Sequence, residues 1–136
     1  MSKTTMGFLF TGLFYLLIGV TLGVLFYIFP GTFYRLTAVH THLNLVGFVM
    51  FAIFGIGYHI LPRFRGNPLH SESMAWVQFW MSNIGLVGLL VLMAIGAYGG
   101  FDGIRIGQAI FGAILAVSIY LFVYNMFITL KGSPGG

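Results

Sequence analysis

The chain has 136 residues, of which 59% are hydrophobic and 6% are charged, and its formal net charge is +4. Soluble domains usually carry about 25% charged residues, so this chain has too few to cover a water-facing surface. Its basic residues are spread over predicted loops and form no patch interleaved with aromatic residues, which argues against nucleic acid as a partner. The length and composition predict a single-domain protein embedded in a lipid bilayer.

Four uncharged stretches are each long enough to span a bilayer, which takes about 20 apolar residues in a helix. Within hydrocarbon the backbone must satisfy its own hydrogen bonds. The runs are continuous and do not alternate with a period of two, so helices are favoured over a β-barrel. We therefore predict an all-α unit with helices at about residues 6–29, 36–61, 74–99 and 105–130. Short loops would make neighbouring helices antiparallel.

Proline and glycine mark the predicted ends of the first two helices. Pro30 and Gly31 are expected to end the first helix, and Pro62 the second. The apolar core of the first stretch is too long for a cleaved signal peptide, and no convincing small-residue cleavage site follows it. The first helix is therefore expected to remain as a membrane span.

Basic residues predict the orientation of the four helices. Lys3, Arg63, Arg65 and Lys131 fall on one side of the predicted path. Arg35 and Arg105 fall on the other side, together with Asp102. Because cytoplasmic loops carry more Lys and Arg, we expect both termini to be cytoplasmic and the protein to lie in the inner (cytoplasmic) membrane.

The second predicted helix carries a His-x-His motif in "AVHTHLNLVGF", residues 38–48. Residues two apart on an α-helix point about 200° apart, so His40 and His42 cannot share one metal ion. The motif predicts a helix that forms a wall between two sites. Two imidazoles packed against carbonyl groups or Asn44 are the structural alternative, but ionisable residues inside a membrane are rare and mark function by default.

The available ligands favour haem over zinc or copper. The chain has no cysteine and no acid within the predicted spans, whereas haem iron brings four ligands of its own. The absence of cysteine also excludes the covalent attachment of a c-type haem. No other helix offers a buried histidine, so we expect His40 of one protomer and His42 of the next to clamp one haem. His59 is expected to be interfacial and His70 to lie in a solvated loop.

Glycine and aromatic residues receive mainly structural interpretations. Gly19 and Gly23 form a GxxxG pattern typical of close helix packing. Gly47 lies nearly two turns from His40 on the same face and could leave room for a flat cofactor. Aromatic anchoring at the membrane interfaces is expected for Tyr27, Phe33, Tyr34, Trp76 and Trp80.

The segment "RLTAVHTHLNLVGFVMFAIFGIGYHILPRF", residues 35–64, resembles the second transmembrane helix of the haem-copper oxidase catalytic subunit. It is most similar to the nitric oxide reductase and cbb-type branches. The resemblance implies that His40 ligates a low-spin haem b. His42 departs from the second-helix pattern, although the family has a His-x-His on its tenth helix that serves two haems.

The resemblance also implies an assembly. The family's catalytic subunit has twelve helices in three arcs of four, with metal ligands on the second, sixth and tenth helices. This chain resembles one third of that subunit, so a homotrimer with up to three bis-histidine haems would reproduce the plan. Arg35 and Arg105, on the histidine side, could pair with haem propionates.

The copper-binding histidines and the glutamates of the two branches are missing, which argues against oxygen reduction. Two axial histidines favour electron transfer, with a quinol or a redox protein as partner. Whether the chain is an enzyme stays open. The alternatives are a gas-binding or gas-reducing haem protein, a haem-free accessory or assembly subunit of an oxidase-like complex, and a copper-handling protein.

Overall fold

The computed structural model describes residues 1–132 and has four long helices. They are α1 (Lys3–Ile28), α2 (Pro30–Arg65), α3 (Glu72–Ala97) and α4 (Ile104–Lys131). Each is long and apolar enough to cross a membrane, and the described residues contain no strand. The predicted all-α, four-helix membrane unit is confirmed.

The connection between α1 and α2 differs from the predicted loop. α1 ends at Ile28, and Pro30 is the first residue of α2. Proline suits this position because its missing N–H would have no partner in the first turn and its φ is already helical. Residues 30–35, expected to connect the two helices, are helical, with a 3₁₀ turn at Tyr34–Leu36. The second span therefore begins six residues earlier than its apolar run suggests.

The end of α2 also differs from the expectation based on Pro62. Pro62 lies inside the helix, which continues to Arg65. A proline costs the helix one backbone hydrogen bond, and here the termination comes from Gly66, whose φ is +72°. Asn67 N–H donates to the Pro62 carbonyl at 3.0 Å and Gly66 N–H to the Arg63 carbonyl at 3.1 Å, which satisfies carbonyls of the last turn.

The helices form two antiparallel hairpins, α1 with α2 and α3 with α4. An aromatic cluster joins the hairpins, centred on the fully buried ring of Phe8. Phe8 makes edge contacts with Phe51, Phe54 and Phe79, and Tyr58 packs on Phe122 of α4. Such edge-to-face pairs add about 0.5–1.5 kcal/mol each beyond the area they bury. This cluster links α2 to α1 and to α4, and it links α1 to α3.

Small and polar residues hold α3 against α4. A Cβ at Gly85 would lie 2.7 Å from the backbone nitrogen of Leu115, so only glycine allows the observed approach. The Ser82 hydroxyl donates to Ser118 Oγ at 2.9 Å, and both side chains are fully buried. Close approach through small residues and hydrogen bonds between helices are the usual means of helix association in membranes.

Hydrogen bonds define the two ends of the bundle. At one end the Thr4 hydroxyl donates to Glu72 at 2.7 Å, and Arg65 Nε donates to the Leu130 carbonyl at 3.0 Å. At the other end the Tyr98 hydroxyl donates to the Thr32 carbonyl at 2.6 Å. The first end therefore gathers the start of α1, both ends of the loop between α2 and α3, and the end of α4.

Candidate functional site

His40 lies on α2 and its imidazole faces α1. Its Nδ1 is 2.9 Å from the carbonyl oxygen of Gly19. A carbonyl can only accept a hydrogen bond, so Nδ1 carries the proton and donates it. The neutral ring then keeps its lone pair on Nε2, which is the state of a histidine that ligates a metal and is oriented by a backbone carbonyl.

The contact between α1 and α2 alternates glycine with larger residues. Opposite His40 stands Gly23, where a Cβ would lie 2.9 Å from the imidazole Cε1. One turn further, a Cβ at Gly19 would lie 2.7 Å from the Asn44 amide nitrogen. The two glycines of the α1 GxxxG therefore make room for the side chains of His40 and Asn44, which are the groups that pack against them.

The next pair along the same contact reverses the pattern, with the glycine on α2. A Cβ at Gly47 would lie 2.8 Å from the Tyr15 side chain. Gly47 is buried and does lie on the face of α2 that carries His40. Its missing side chain is used by Tyr15 in this structure, so the space expected there for a flat cofactor is filled by α1.

The helix changes its winding directly after the histidines. Thr37–His42 is α-helical, and Leu43–Met50 forms a π-helix. At the junction the carbonyl of His40 accepts two hydrogen bonds, one from the backbone N–H of Leu43 and one at 2.8 Å from the Asn44 amide. π-helical turns are rare and frequently lie at functional sites, and the sequence reasoning did not anticipate this one.

His42 lies on a different face of α2 from His40, because the segment that carries both is a regular α-helix. Its Nδ1 is 2.9 Å from the carbonyl oxygen of Ala38, one turn earlier in the same helix. By the same reasoning Nδ1 is the donor and Nε2 keeps the lone pair. The two histidines thus have the same tautomer, and they hold their free nitrogens toward different surroundings.

A cavity of about 440 Å³ opens beside His40. All of its lining comes from α1 and α2, and it is largely aromatic and small: Gly23, Phe26, Tyr27, Pro30, Tyr34, Thr37 and His40. Tyr27 is 90% exposed and Tyr34 is 68% exposed, so the cavity opens on the outer surface of the four-helix unit. It offers an imidazole and aromatic side chains.

The remaining predicted residues lie apart from this cavity. Arg35 is exposed in the 3₁₀ turn between Tyr34 and Thr37, and Arg105 is exposed at the start of α4. Neither lines the cavity. His59, on the last turns of α2, contacts Arg63. His70 is exposed in the loop before α3, where its backbone N–H donates to the Thr129 hydroxyl at 3.0 Å.

Protein side chains alone do not assemble a metal centre in the described part of the chain. Among residues 1–132, no three side chains of His, Cys, Asp or Glu come close enough together to hold a metal ion. A single imidazole beside an aromatic cavity suits instead a metal that arrives with most of its ligands already bound.

The cavity was not predicted, although the sequence singles out several of its residues. Tyr27 and Tyr34 were interpreted as membrane anchors and Gly23 as a packing residue, because each of these functions is common for its residue type. Gly23 and His40 are 17 positions apart, and only the antiparallel pairing of α1 with α2 brings them together.

Four helices able to span a membrane, with a histidine of the second helix beside an open cavity, define a multi-pass membrane protein. Its family follows from comparison with known proteins. The family described as Cytochrome C and Quinol oxidase polypeptide I matches residues 3–133, nearly the whole sequence. The chain belongs to this family, the subunit I superfamily of haem-copper oxidases.

Two curated relatives agree with this membership. "Cytochrome c oxidase subunit 1" of Corynebacterium diphtheriae is 30% identical over 138 residues, which cover 90% of this chain and 24% of that protein. "Probable cytochrome c oxidase subunit 1-alpha" of Streptomyces avermitilis is 30% identical over 111 residues, 71% of this chain and 19% of that protein. The chain thus spans about a quarter of these relatives or less. No solved structure matches the chain.

Proposed function

We propose that this chain is a membrane-embedded haem protein that transfers electrons, with His40 as an axial ligand of a low-spin haem b. One observation carries the proposal: Nδ1 of His40 donates to the Gly19 carbonyl at 2.9 Å while the ring borders an open cavity. The hydrogen bond leaves Nε2 as the free nitrogen, which is the one a haem iron needs.

The residues present fit a haem. The cavity walls are aromatic or small, which suits a flat apolar ring system, and Gly23 leaves room for the imidazole that would ligate it. Arg35 stands next to Tyr34 in sequence, at the same end of α2 as the cavity, and is proposed to pair with a propionate. Arg105 is proposed to do the same from the start of α4. When bound, the haem supplies reversible one-electron chemistry.

We propose that the second axial ligand is His42 of a neighbouring protomer. The support is that α1 and α2 alone line the cavity, which opens outward, so another chain is needed to close it. His42 lies on another face of α2 and holds a free Nε2. Each protomer would then offer one half of two different sites, and three copies would close a ring in the manner of the twelve-helix subunit.

The proposed role of this chain is to relay electrons, because two axial histidines occupy both iron positions that a gas would need. A quinol or a redox protein is the proposed partner. The nitric oxide reductase and cbb-type branch is proposed from residues 35–64, where the segment most resembles those proteins. Both curated relatives are named as cytochrome c oxidase subunits.

The proposed location is the inner membrane, with both termini in the cytoplasm. Lys3, Arg63, Arg65 and Lys131 share the end of the bundle at which α1 begins and α4 ends, as the positive-inside tendency requires. Because the chain has no cysteine, single cysteines at Lys3 and Arg105 can be labelled from either side of the membrane. If the cysteine at position 3 is labelled from outside the cell, the orientation is the opposite of the one proposed.

A reduced-minus-oxidised visible spectrum of the detergent-purified protein, with haem counted per chain, tests the proposal. We expect sharp low-spin b-type bands and about one haem per chain, and no band shift when carbon monoxide is added to the reduced protein. His40→Ala and His42→Ala should each abolish the bands, while His70→Ala, in the exposed loop, should retain them. Colourless protein after expression with haem supplied would refute the proposal.

A further inference from the structure

Phe26 of α1 packs against the imidazole of His40 and also lines the cavity beside it. The two ring centroids are 5.2 Å apart and the ring planes are inclined by 61°, which is an edge contact. Phe26 makes a second edge contact with Tyr34, in the 3₁₀ turn of α2, with the ring centroids 6.2 Å apart. One side chain of α1 therefore touches both the candidate ligand and the turn that precedes it in the chain.

Three contacts from α1 to the imidazole come from one face of that helix. The Gly19 carbonyl accepts from Nδ1, Gly23 lies against Cε1, and Phe26 packs against the ring. Residues three and four apart are neighbours on a helix surface, so these residues form a continuous row. A single face of α1 therefore holds the imidazole at three points.

The hydrogen bond at Nδ1 does not by itself fix the plane of the ring. The χ2 torsion of histidine has broad energy wells, and a carbonyl oxygen accepts hydrogen bonds over a broad range of directions. Gly19 and Gly23 have no side chains, so of the three α1 contacts only Phe26 brings a side chain against the imidazole. A tilt of the ring toward Phe26 is blocked by that side chain.

We infer that Phe26 is a positioning residue, which sets the plane of the His40 imidazole. It acts by packing against the ring, whereas the Gly19 carbonyl sets the direction of Nδ1. The inference deepens the proposed function, on which its consequence for haem rests. The plane of the ring is nevertheless a property of the protein without haem and can be measured there.

The mobility of the ring is measured by ¹³C relaxation NMR on the haem-free, full-length protein labelled at the histidine Cε1. The order parameter of the His40 Cε1–H bond should be about 0.85, as in rigid structure, and should fall below about 0.6 in Phe26→Ala. His42 is the internal control, because its Nδ1 bonds to Ala38 within its own helix. Phe14→Ala, at a position of α1 that is 61% exposed, is the matched control and should change neither histidine.

Two further variants separate positioning from general loss of structure. Phe26→Tyr keeps the aromatic ring and should keep the wild-type order parameter of His40. If Phe26→Ala does not give folded protein, Phe26→Leu keeps more of the volume, removes the flat ring and should still loosen His40 alone. A wild-type order parameter of His40 in both Phe26→Ala and Phe26→Leu would overturn the inference. Equal loosening of His40 and His42 would also overturn it, because that result would mean a general loosening of α2.

The haem-loaded protein provides a second readout, by electron paramagnetic resonance of the oxidised form. The g values of a low-spin ferric haem depend on the planes of its axial imidazoles, so Phe26→Ala should shift and broaden the signal at the largest g value, and Phe26→Tyr should not. Haem affinity should fall by about tenfold in Phe26→Ala, as when a group that orients a ligand is removed. Wild-type protein with a rigid His40 ring that binds no haem would instead overturn the proposed function and leave the positioning role standing.

Discussion

Gly23 of α1 lies directly against the imidazole of His40 on α2, so closely that a Cβ built on the glycine would stand 2.9 Å from Cε1 of the ring. A Cβ atom and a ring carbon that are not bonded do not normally come this close, so any side chain at position 23 would force the imidazole to move. The histidine that we propose as a haem ligand is thus oriented by a carbonyl at Gly19 and positioned by an absent side chain at Gly23. Both features belong to the same GxxxG.

Replacing Gly23 with alanine tests this relationship. The added methyl group should push the ring away from α1 and out of line with the Gly19 carbonyl, and we expect haem affinity to fall by about tenfold or more. Haem titration followed by absorbance measures the effect. The matched control is Gly112→Ala on α4, where a Cβ meets nothing within 4 Å. Equal haem affinity in the two variants would show that the ring position does not depend on Gly23.

Mixed oligomers test whether neighbouring protomers share the ligands. His40→Ala and His42→Ala protomers should each be colourless alone. Co-expressed with different tags and purified as mixed trimers, they should regain one haem per trimer, at the interface where an intact His40 meets an intact His42. The haem content of the doubly purified fraction is the measurement. Mixed trimers without haem would place both ligands of any site within one protomer.

The approach of α3 to α4 at Gly85 predicts a loss of stability on substitution. A Cβ there would lie 2.7 Å from the backbone nitrogen of Leu115, and backbone cannot swing aside as a side chain does. Overpacking of this kind costs about 1–3 kcal/mol, which Gly85→Ala should show as a lower free energy of unfolding in detergent titrations. Gly112→Ala, in open space, should be neutral or slightly stabilising, since alanine is the better helix former. An unchanged stability for Gly85→Ala would contradict the packing.

The buried serine pair predicts a small coupling between α3 and α4. Ser82 donates to Ser118 at 2.9 Å, with both residues inaccessible to solvent. Hydrogen bonds between membrane helices average about 0.6 kcal/mol in double-mutant cycles. We expect that coupling energy from Ser82→Ala, Ser118→Ala and the double variant, measured as free energies of unfolding. Additive single effects would mean that the hydroxyls do not stabilise each other.

The sequence alone determined the class of fold and identified His40 and His42 as the candidate ligands. Long uncharged runs allow only helices in a bilayer, so the number of spans and their antiparallel order followed from the distribution of eight charged residues. The two-residue spacing of His40 and His42 fixed their opposite directions, because that follows from helical geometry alone. These conclusions need no knowledge of which helix packs on which.

Tertiary structure decided what surrounds each histidine. The pairing of α1 with α2 set Gly23 against His40, Gly19 against Asn44 and Tyr15 against Gly47. No local pattern specifies such a register, because the contacts join residues 17 to 32 positions apart. The π-helix at Leu43–Met50 has no signal in the local pattern. The helical start at Pro30 agrees with the preference of proline for the first turn, which the expected helix stop there did not consider. The sequence could therefore name the ligand candidates, whereas the cavity beside His40 and the tautomer of its ring exist only once two helices meet.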